Sequence, residues 1–197
     1  MSPQGDARPD GGRAEGPLRA RARWWLGAVA LAGLALGVVL SATTLSGLRY
    51  AERLQFCAQS CHEMQQAYRE YTQSVHYRND FGVRAVCADC HVPKPFFARI
   101  SRHIEASTEL IGKFRGYINT AAKYEQHRAQ MAQAVWNTLK LDHSAECQSC
   151  HNFSAMDLAK QPPMAARAHS RMAQPNSGQT CIDCHMGIAH TLPPGSS

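Results

Sequence analysis

All eight cysteines of this 197-residue chain fall into four pairs, and histidine directly follows each pair. Cys87-Ala88-Asp89-Cys90-His91, Cys147-Gln148-Ser149-Cys150-His151 and Cys181-Ile182-Asp183-Cys184-His185 share one spacing, while Cys57, Cys61 and His62 are set one residue wider. Two thiols beside an imidazole form the attachment pattern of c-type haem, in which thioethers hold the porphyrin and the histidine reaches the iron. A single copy of so short a motif recurs by chance; four copies that consume every cysteine do not. Closed zinc sites need four tetrahedral ligands and give no reason for a histidine after every second cysteine. Disulfides ignore the histidines as well. The spacing therefore predicts four covalently bound haem c groups.

His91, His151 and His185 are proximal ligands by position. An electron-transfer haem takes a second strong axial ligand, commonly His or Met. The remaining pool is His76, His103, His127, His143, His169 and His190. His76 lies one helix before the second motif, and His169 sits between chain breaks before the last one. His190 is too close to its own motif to reach its own iron and is expected on a neighbouring one. These three are the expected second ligands, whereas His127 and His143 fit a surface role equally well. At the first motif Met64 offers a thioether two residues beyond His62, or else packs on a helix face; the residues alone leave both open.

The elements that position these groups read as helices and loops. One apolar run, from Trp24-Trp25 to about residue 47 with no charge before Arg49, matches the roughly 20 residues a spanning helix needs. Arg8, Arg13, Arg19, Arg21 and Arg23 precede it, so the positive-inside rule puts the N-terminus in the cytoplasm. A cleaved signal peptide would have a shorter apolar region of about 7–15 residues. The expected organisation is a disordered cytoplasmic tail at 1–23, a single transmembrane anchor at 24–47 in the inner membrane, and a periplasmic tetrahaem domain at 48–197. Met64, Tyr68, Tyr71 and Val75 keep a helical rhythm, as do Ile100, Ile104, Ile111, Phe114 and Ile118, and again Tyr124, Met131, Val135 and Leu139. No stretch alternates as a strand would. The fold class is thus mainly α: a transmembrane helix plus a small helical and loop multihaem domain. So small a domain, poor in aliphatic runs, needs the haem faces for its core. The formal charge of +6 comes without a basic stripe interleaved with aromatics, which excludes nucleic acid as a partner.

The chain resembles the NapC/NirT family of membrane-anchored tetrahaem cytochromes, which includes the NrfH type. The likeness runs from about Trp24 to Pro194. It is carried by Phe56-Cys57 through Cys61-His62-Glu63-Met64, by Gly82 through Lys94, by Glu146 through Phe153, and by Thr180 through His190. The resemblance implies Met64 on the first iron, and His76, His169 and His190 as second ligands elsewhere. It implies a quinol pocket beside the first haem that borrows a lysine and an acid from the helix after the second motif; here His103 occupies the lysine position and Glu109 best matches the acid. Proteins of this kind take electrons from the membrane quinol pool, menaquinol or ubiquinol, and hand them to a periplasmic reductase in nitrate- or nitrite-type respiration. In that role His103 suits proton acceptance near neutral pH, Glu109 would serve if burial raised its pKa, and Lys94, Lys113, Arg115 and Lys123 offer charge for steering the reductase or cytochrome that docks. No further haem motif follows Pro194, which sets the chain apart from longer relatives that serve S- and N-oxide reductases. The alternatives are a terminal reductase of a small N-oxide, with one five-coordinate iron, and a permanent anchoring relay subunit.

Overall fold

The computed structural model describes residues 16–174 and 176–196, so the expected tail before residue 16 lies outside the described residues. Helix α1, Pro17–Ala51, runs for 35 residues, or roughly 50 Å at 1.5 Å per residue. Among the described residues it alone is long and apolar enough to cross a membrane; its most apolar stretch has a mean hydropathy of 2.1 and none of it is buried. Residues 17–23, expected in the tail, form its first turns. The chain divides after Gly47 into two compact units.

The second unit, from Leu48 onward, is built of two longer helices among short ones: α2 (Leu54–Gln59), α3 (Gln65–Tyr71), α4 (Cys87–His91), α5 (Phe96–Phe114), α6 (Ala121–Leu141), α7 (Ala145–Gln148) and α8 (Pro163–Met172). Single 3-10 turns at His62–Met64, Phe153–Ala155, Leu158–Lys160 and Cys181–Asp183 complete it, and the described residues contain no strand. Cys57 lies in α2 and Cys61 directly before the His62–Met64 turn; Cys87 and Cys90 lie in α4, Cys147 in α7 with Cys150 just beyond it, and Cys181 opens the last turn with Cys184 directly after it.

Local chemistry explains where the elements stop. Helix α5 ends in a Schellman motif: Gly116 N–H bonds the Lys113 carbonyl at 2.9 Å and Tyr117 N–H bonds the Gly112 carbonyl at 3.0 Å. Gly116 has φ +65°, the left-handed conformation glycine adopts without steric cost. Ile118, expected on the same face as Ile100, therefore falls beyond the helix. Helix α3 likewise ends at Tyr71, and Val75 sits in the following turns, 67% exposed. Helix α6 starts at Thr120, whose hydroxyl accepts from Lys123 N–H at 3.2 Å, an N-cap.

The buried apolar side chains among the described residues are Ala58, Tyr71, Leu139 and Ile182, whereas Phe81, Phe97, Phe114 and Leu141 are more than four-fifths exposed. Four such side chains are too few to hold a unit of this length by ordinary packing.

Candidate haem-binding site

Two of the four motifs carry their own cap. In C-x-D-C-H the aspartate reaches back to close the turn that presents both thiols and the imidazole. Asp89 accepts from Val86 N–H at 2.8 Å and from Lys94 Nζ at 2.9 Å. Asp183 accepts from Thr180 N–H at 2.8 Å and Thr180 Oγ1 at 2.9 Å, and pairs with Lys140 at 2.9 Å. The return bonds run to the backbone, Asp89 N–H to the Val86 carbonyl at 2.9 Å and Asp183 N–H to the Thr180 carbonyl at 3.1 Å, so each aspartate supplies the back-reaching half of a capping box.

The motifs adjoin in chain order. Helix α2 packs on α4, and α4 on α7. Cys57 and Cys87, on these adjoining helices, act on each other: Cys87 holds the Cys57 thiol below its ordinary pKa, and Cys57 pushes the Cys87 thiol above its own. Burial, with Cys181 and Cys90 nearby, raises Cys147 to about 12. Ser144, fully buried and in the left-handed region at φ +56°, ties the third motif to the fourth. Its hydroxyl donates to the Leu139 carbonyl at 3.3 Å and accepts from Ile182 N–H at 3.4 Å.

Three pairs of imidazoles face one another at nearly the same separation. His76 and His151 have ring centroids 6.2 Å apart, His91 and His190 also 6.2 Å, and His169 and His185 5.9 Å. With metal–imidazole bonds of about 2 Å, as in other first-row sites, two rings across one metal put their centroids about 6 Å apart. Among the described residues no group of three or more His, Cys, Asp or Glu converges into a metal cage. Opposed pairs without further protein donors fit an ion whose equatorial donors come from a porphyrin. The residues present fit haem.

Each expected second histidine is held by its surroundings. His76 lies on the segment between the first two motifs, where its carbonyl accepts from Ala85 N–H at 3.1 Å and Tyr71 Oη donates to the Ala85 carbonyl. Tyr68, Tyr71 and Tyr77 cluster there, with the Arg84 guanidinium 4.1 Å from the Tyr77 centroid. His76 Nδ1 is buried, and among the described residues no hydrogen-bond partner reaches it. His169, on α8, places Nδ1 2.6 Å from Gln161 Oε1; Nδ1–H donates, leaving Nε2 as the lone pair. His190 ends a turn through Gly187, which has φ +76° and whose Cβ, if present, would meet Leu192 at 2.7 Å. Desolvation, with His190 and Arg102 close by, pushes His91 down to about 4, and burial also lowers His190. Both imidazoles are thus neutral near pH 7, the form that ligates metal.

The first motif differs. Among the described residues no histidine ring faces His62, whose side chain is 60% exposed, and Met64 is 41% exposed. Around them stand Glu63, 8% exposed, and Lys113 from the end of α5, with Nζ 3.6 Å from Cys61 Sγ and 3.9 Å from the Glu63 carboxylate.

His103 and Glu109 are not brought together. Six residues apart on α5, they point about 120° apart around the helix. Glu109 is 66% exposed and pairs with Arg102 at 3.0 Å, so the burial on which its role was conditional is slight. His103 Nε2 instead lies 2.9 Å from Glu52 Oε1. Arg99 Nε donates to the same carboxylate at 2.6 Å. Burial raises the Glu52 pKa, and the bonds from Arg99 and His103 more than reverse this, leaving it below the usual carboxylate value. Sequence reasoning missed Glu52; the available signal was an acid placed directly after the apolar run. It also missed Gln161, Glu70 and Arg128, whose partners lie far off in sequence or have no motif.

The profile of the NapC/NirT cytochrome c family, N-terminal region, matches residues 19–195. The chain is 44% identical to the cytochrome c-type protein NapC of Escherichia coli K12 over 92% of its own length and 93% of that protein's. It is 46% identical to NapC of Haemophilus influenzae, with 81% of this chain and 78% of that protein covered. It is 44% identical to TorC of Escherichia coli K12 over 91% of its own length but 45% of TorC's. No solved structure matches the chain. The four cysteine pairs, the opposed imidazoles and the match over nearly the whole chain agree: the protein belongs to the NapC/NirT cytochrome c family.

Proposed function

We propose that this protein is a membrane-anchored tetrahaem cytochrome c that oxidises quinol and passes the electrons to a periplasmic reductase of nitrate- or nitrite-type respiration. The observation that carries the reading is the set of three imidazole pairs, His76 with His151, His91 with His190 and His169 with His185, at closely similar separations beside motifs that adjoin in chain order. Each pair would supply the two axial ligands of one iron, and Cys57, Cys61, Cys87, Cys90, Cys147, Cys150, Cys181 and Cys184 the thioethers. Met64 would take the first iron. When bound, haem supplies an iron that gains and releases one electron at a time. Helix α1 would hold the protein in the inner membrane by a single pass, with the haem domain on the periplasmic side; the Arg-rich approach to Trp24 supports this orientation.

Oxidation of one quinol releases two protons and two electrons; His103 would take the protons one at a time, passing each to water before the next, while the electrons go singly to the haems. The His103 Nε2–H donates to Glu52 at 2.9 Å, which leaves the Nδ1 lone pair to accept a hydroquinone proton. The ionised Glu52 carboxylate stabilises the imidazolium that results, as an acid behind a catalytic histidine does elsewhere. Arg99 keeps Glu52 ionised and in register. Glu52 immediately follows α1, so this group adjoins in sequence the helix read as the membrane anchor. Glu109, exposed and paired with Arg102, lies outside the Glu52–His103 group.

Anaerobic mixing of the detergent-solubilised protein with a menaquinol analogue, followed by haem absorbance, tests the reading. Rapid reduction, slowed in His103→Ala while dithionite still reduces every haem, supports it. No reduction by quinol in a protein that dithionite reduces fully overturns it. Among the described residues no histidine ring faces His62, whose side chain is 60% exposed, which favours as a second reading a terminal reductase of a small N-oxide at the first motif; turnover of nitrite or hydroxylamine by the isolated chain would identify that activity.

A further inference from the structure

We infer that Arg128 and Glu70 are positioning residues for the second haem site: they fix the backbone of Thr191 and thereby hold His190 opposite His91. This rests on the reading above that His91 and His190 are an axial pair.

Arg128 lies on α6 and is 6% exposed. All five of its N–H donors are used. Nε and Nη2 donate to Glu125 at 2.7 and 2.6 Å. Nη1 donates to Glu70 Oε2 at 2.9 Å, and Nη2 donates to Glu70 Oε1. The remaining Nη1 donor reaches the Thr191 carbonyl at 2.9 Å. Glu70, on α3, in turn accepts from Thr191 N–H at 2.9 Å. One guanidinium and one carboxylate thus capture both backbone polar groups of the residue next to His190.

Such a bidentate pair is directional, which a lysine or a lone carboxylate is not. A buried ion pair is weak support for stability as such; its effect here is better sought in what it fixes. The segment from His185 to Thr191 has no helix or strand of its own, and Gly187 turns it sharply against Leu192. With both Thr191 backbone groups bonded, rotation of the peptide that carries His190 is blocked. Helices α3 and α6 come from opposite sides of the second motif in sequence, so the clamp also sets His190 relative to the rest of the domain.

The test uses the full-length, haem-loaded protein in detergent and reads ligation, not turnover. Carbon monoxide binds ferrous haem where the sixth position is open, and the ferric high-spin signal reports the same loss. His190→Ala serves as reference and is expected to add one carbon monoxide per chain over wild type. Arg128→Met is expected to open the same site to a large fraction, with added imidazole restoring the low-spin spectrum. Glu70→Gln keeps the shape and one bond to Thr191, and should open it less. Unchanged binding in Arg128→Met and Glu70→Gln, each with four haems and with His190→Ala opening its site, would overturn the inference while leaving the axial-pair reading intact. Failure of His190→Ala to open any site would overturn both. Should Arg128→Met not be recovered folded, Glu70→Gln together with Arg128→Lys decides.

Discussion

Glu52 and His103 stand 51 positions apart in the chain, yet the Glu52 carboxylate lies 2.9 Å from His103 Nε2. Both side chains are about four-fifths buried, so the bond is shielded from solvent and sets which imidazole nitrogen keeps its proton. A histidine that sequence alone offers as a lone base becomes, in the fold, one half of a carboxylate–imidazole couple.

If that couple takes the quinol proton, His103→Ala should lower the quinol-driven rate of haem reduction by a factor of about 100, the usual scale of a positioned base. Glu52→Gln should lower it by about 10-fold, as loss of an orienting partner does. Dithionite reduction should be unchanged in both. Stopped-flow absorbance at the haem bands reads both numbers. Equal rates in wild type and His103→Ala would remove the histidine from the mechanism.

Acid should dissolve the Glu52 cluster. Its pKa is held below the ordinary 4.5 because the bonds from Arg99 and His103 outweigh burial. A folded value below the unfolded one means that its stabilisation is complete above pH 4.5 and is lost as pH falls through the depressed value. The difference in Tm between wild type and Glu52→Gln should therefore stay constant from about pH 5 to 7 and shrink below that range. Thermal melts across this range, followed by far-UV circular dichroism, measure it.

His76→Ala and His169→Ala should each expose one haem to carbon monoxide, because each histidine faces a different proximal ring, 6.2 Å from His151 and 5.9 Å from His185 respectively. The double variant should bind both. Gln161→Ala should weaken the His169 site alone, since Gln161 holds Nδ1 of that ring, with an effect of 10- to about 100-fold on ligand exchange by analogy with other orienting partners. Carbon monoxide titration of the dithionite-reduced variants counts the open sites.

The aspartates inside the motifs should matter to stability. Asp183→Ala removes two hydrogen bonds to Thr180 and the pair with Lys140, which at about 1 kcal/mol per net bond costs roughly 1–3 kcal/mol. Asp89→Ala should cost somewhat less, since Asp89 closes one backbone bond and one exposed pair with Lys94. Differential scanning calorimetry of the haem-loaded variants checks the order.

What could be read in the residues was local. The four cysteine pairs, the proximal histidines and the apolar run are patterns within a few residues or one helix, where spacing and hydropathy act without help from the rest of the chain. The mainly helical character followed from the same short-range rhythm, and the family from the motifs with their flanks. Element ends were less legible: α3 stops before Val75 and α5 before Ile118, the latter because a Schellman turn at Gly116 overrides a continuing apolar period. The facing partners of His151, His91 and His185 were decided only in three dimensions. His76 crosses to the third motif and His190 returns to the second, while His169 faces the motif just after it. Such choices depend on where loops return, and sequence separation carries no record of that. The same holds for Glu52 beside His103 and for Arg128 at Thr191: charged residues without a motif acquire a role only when packing removes water from around them and brings a partner from elsewhere in the chain within hydrogen-bond reach.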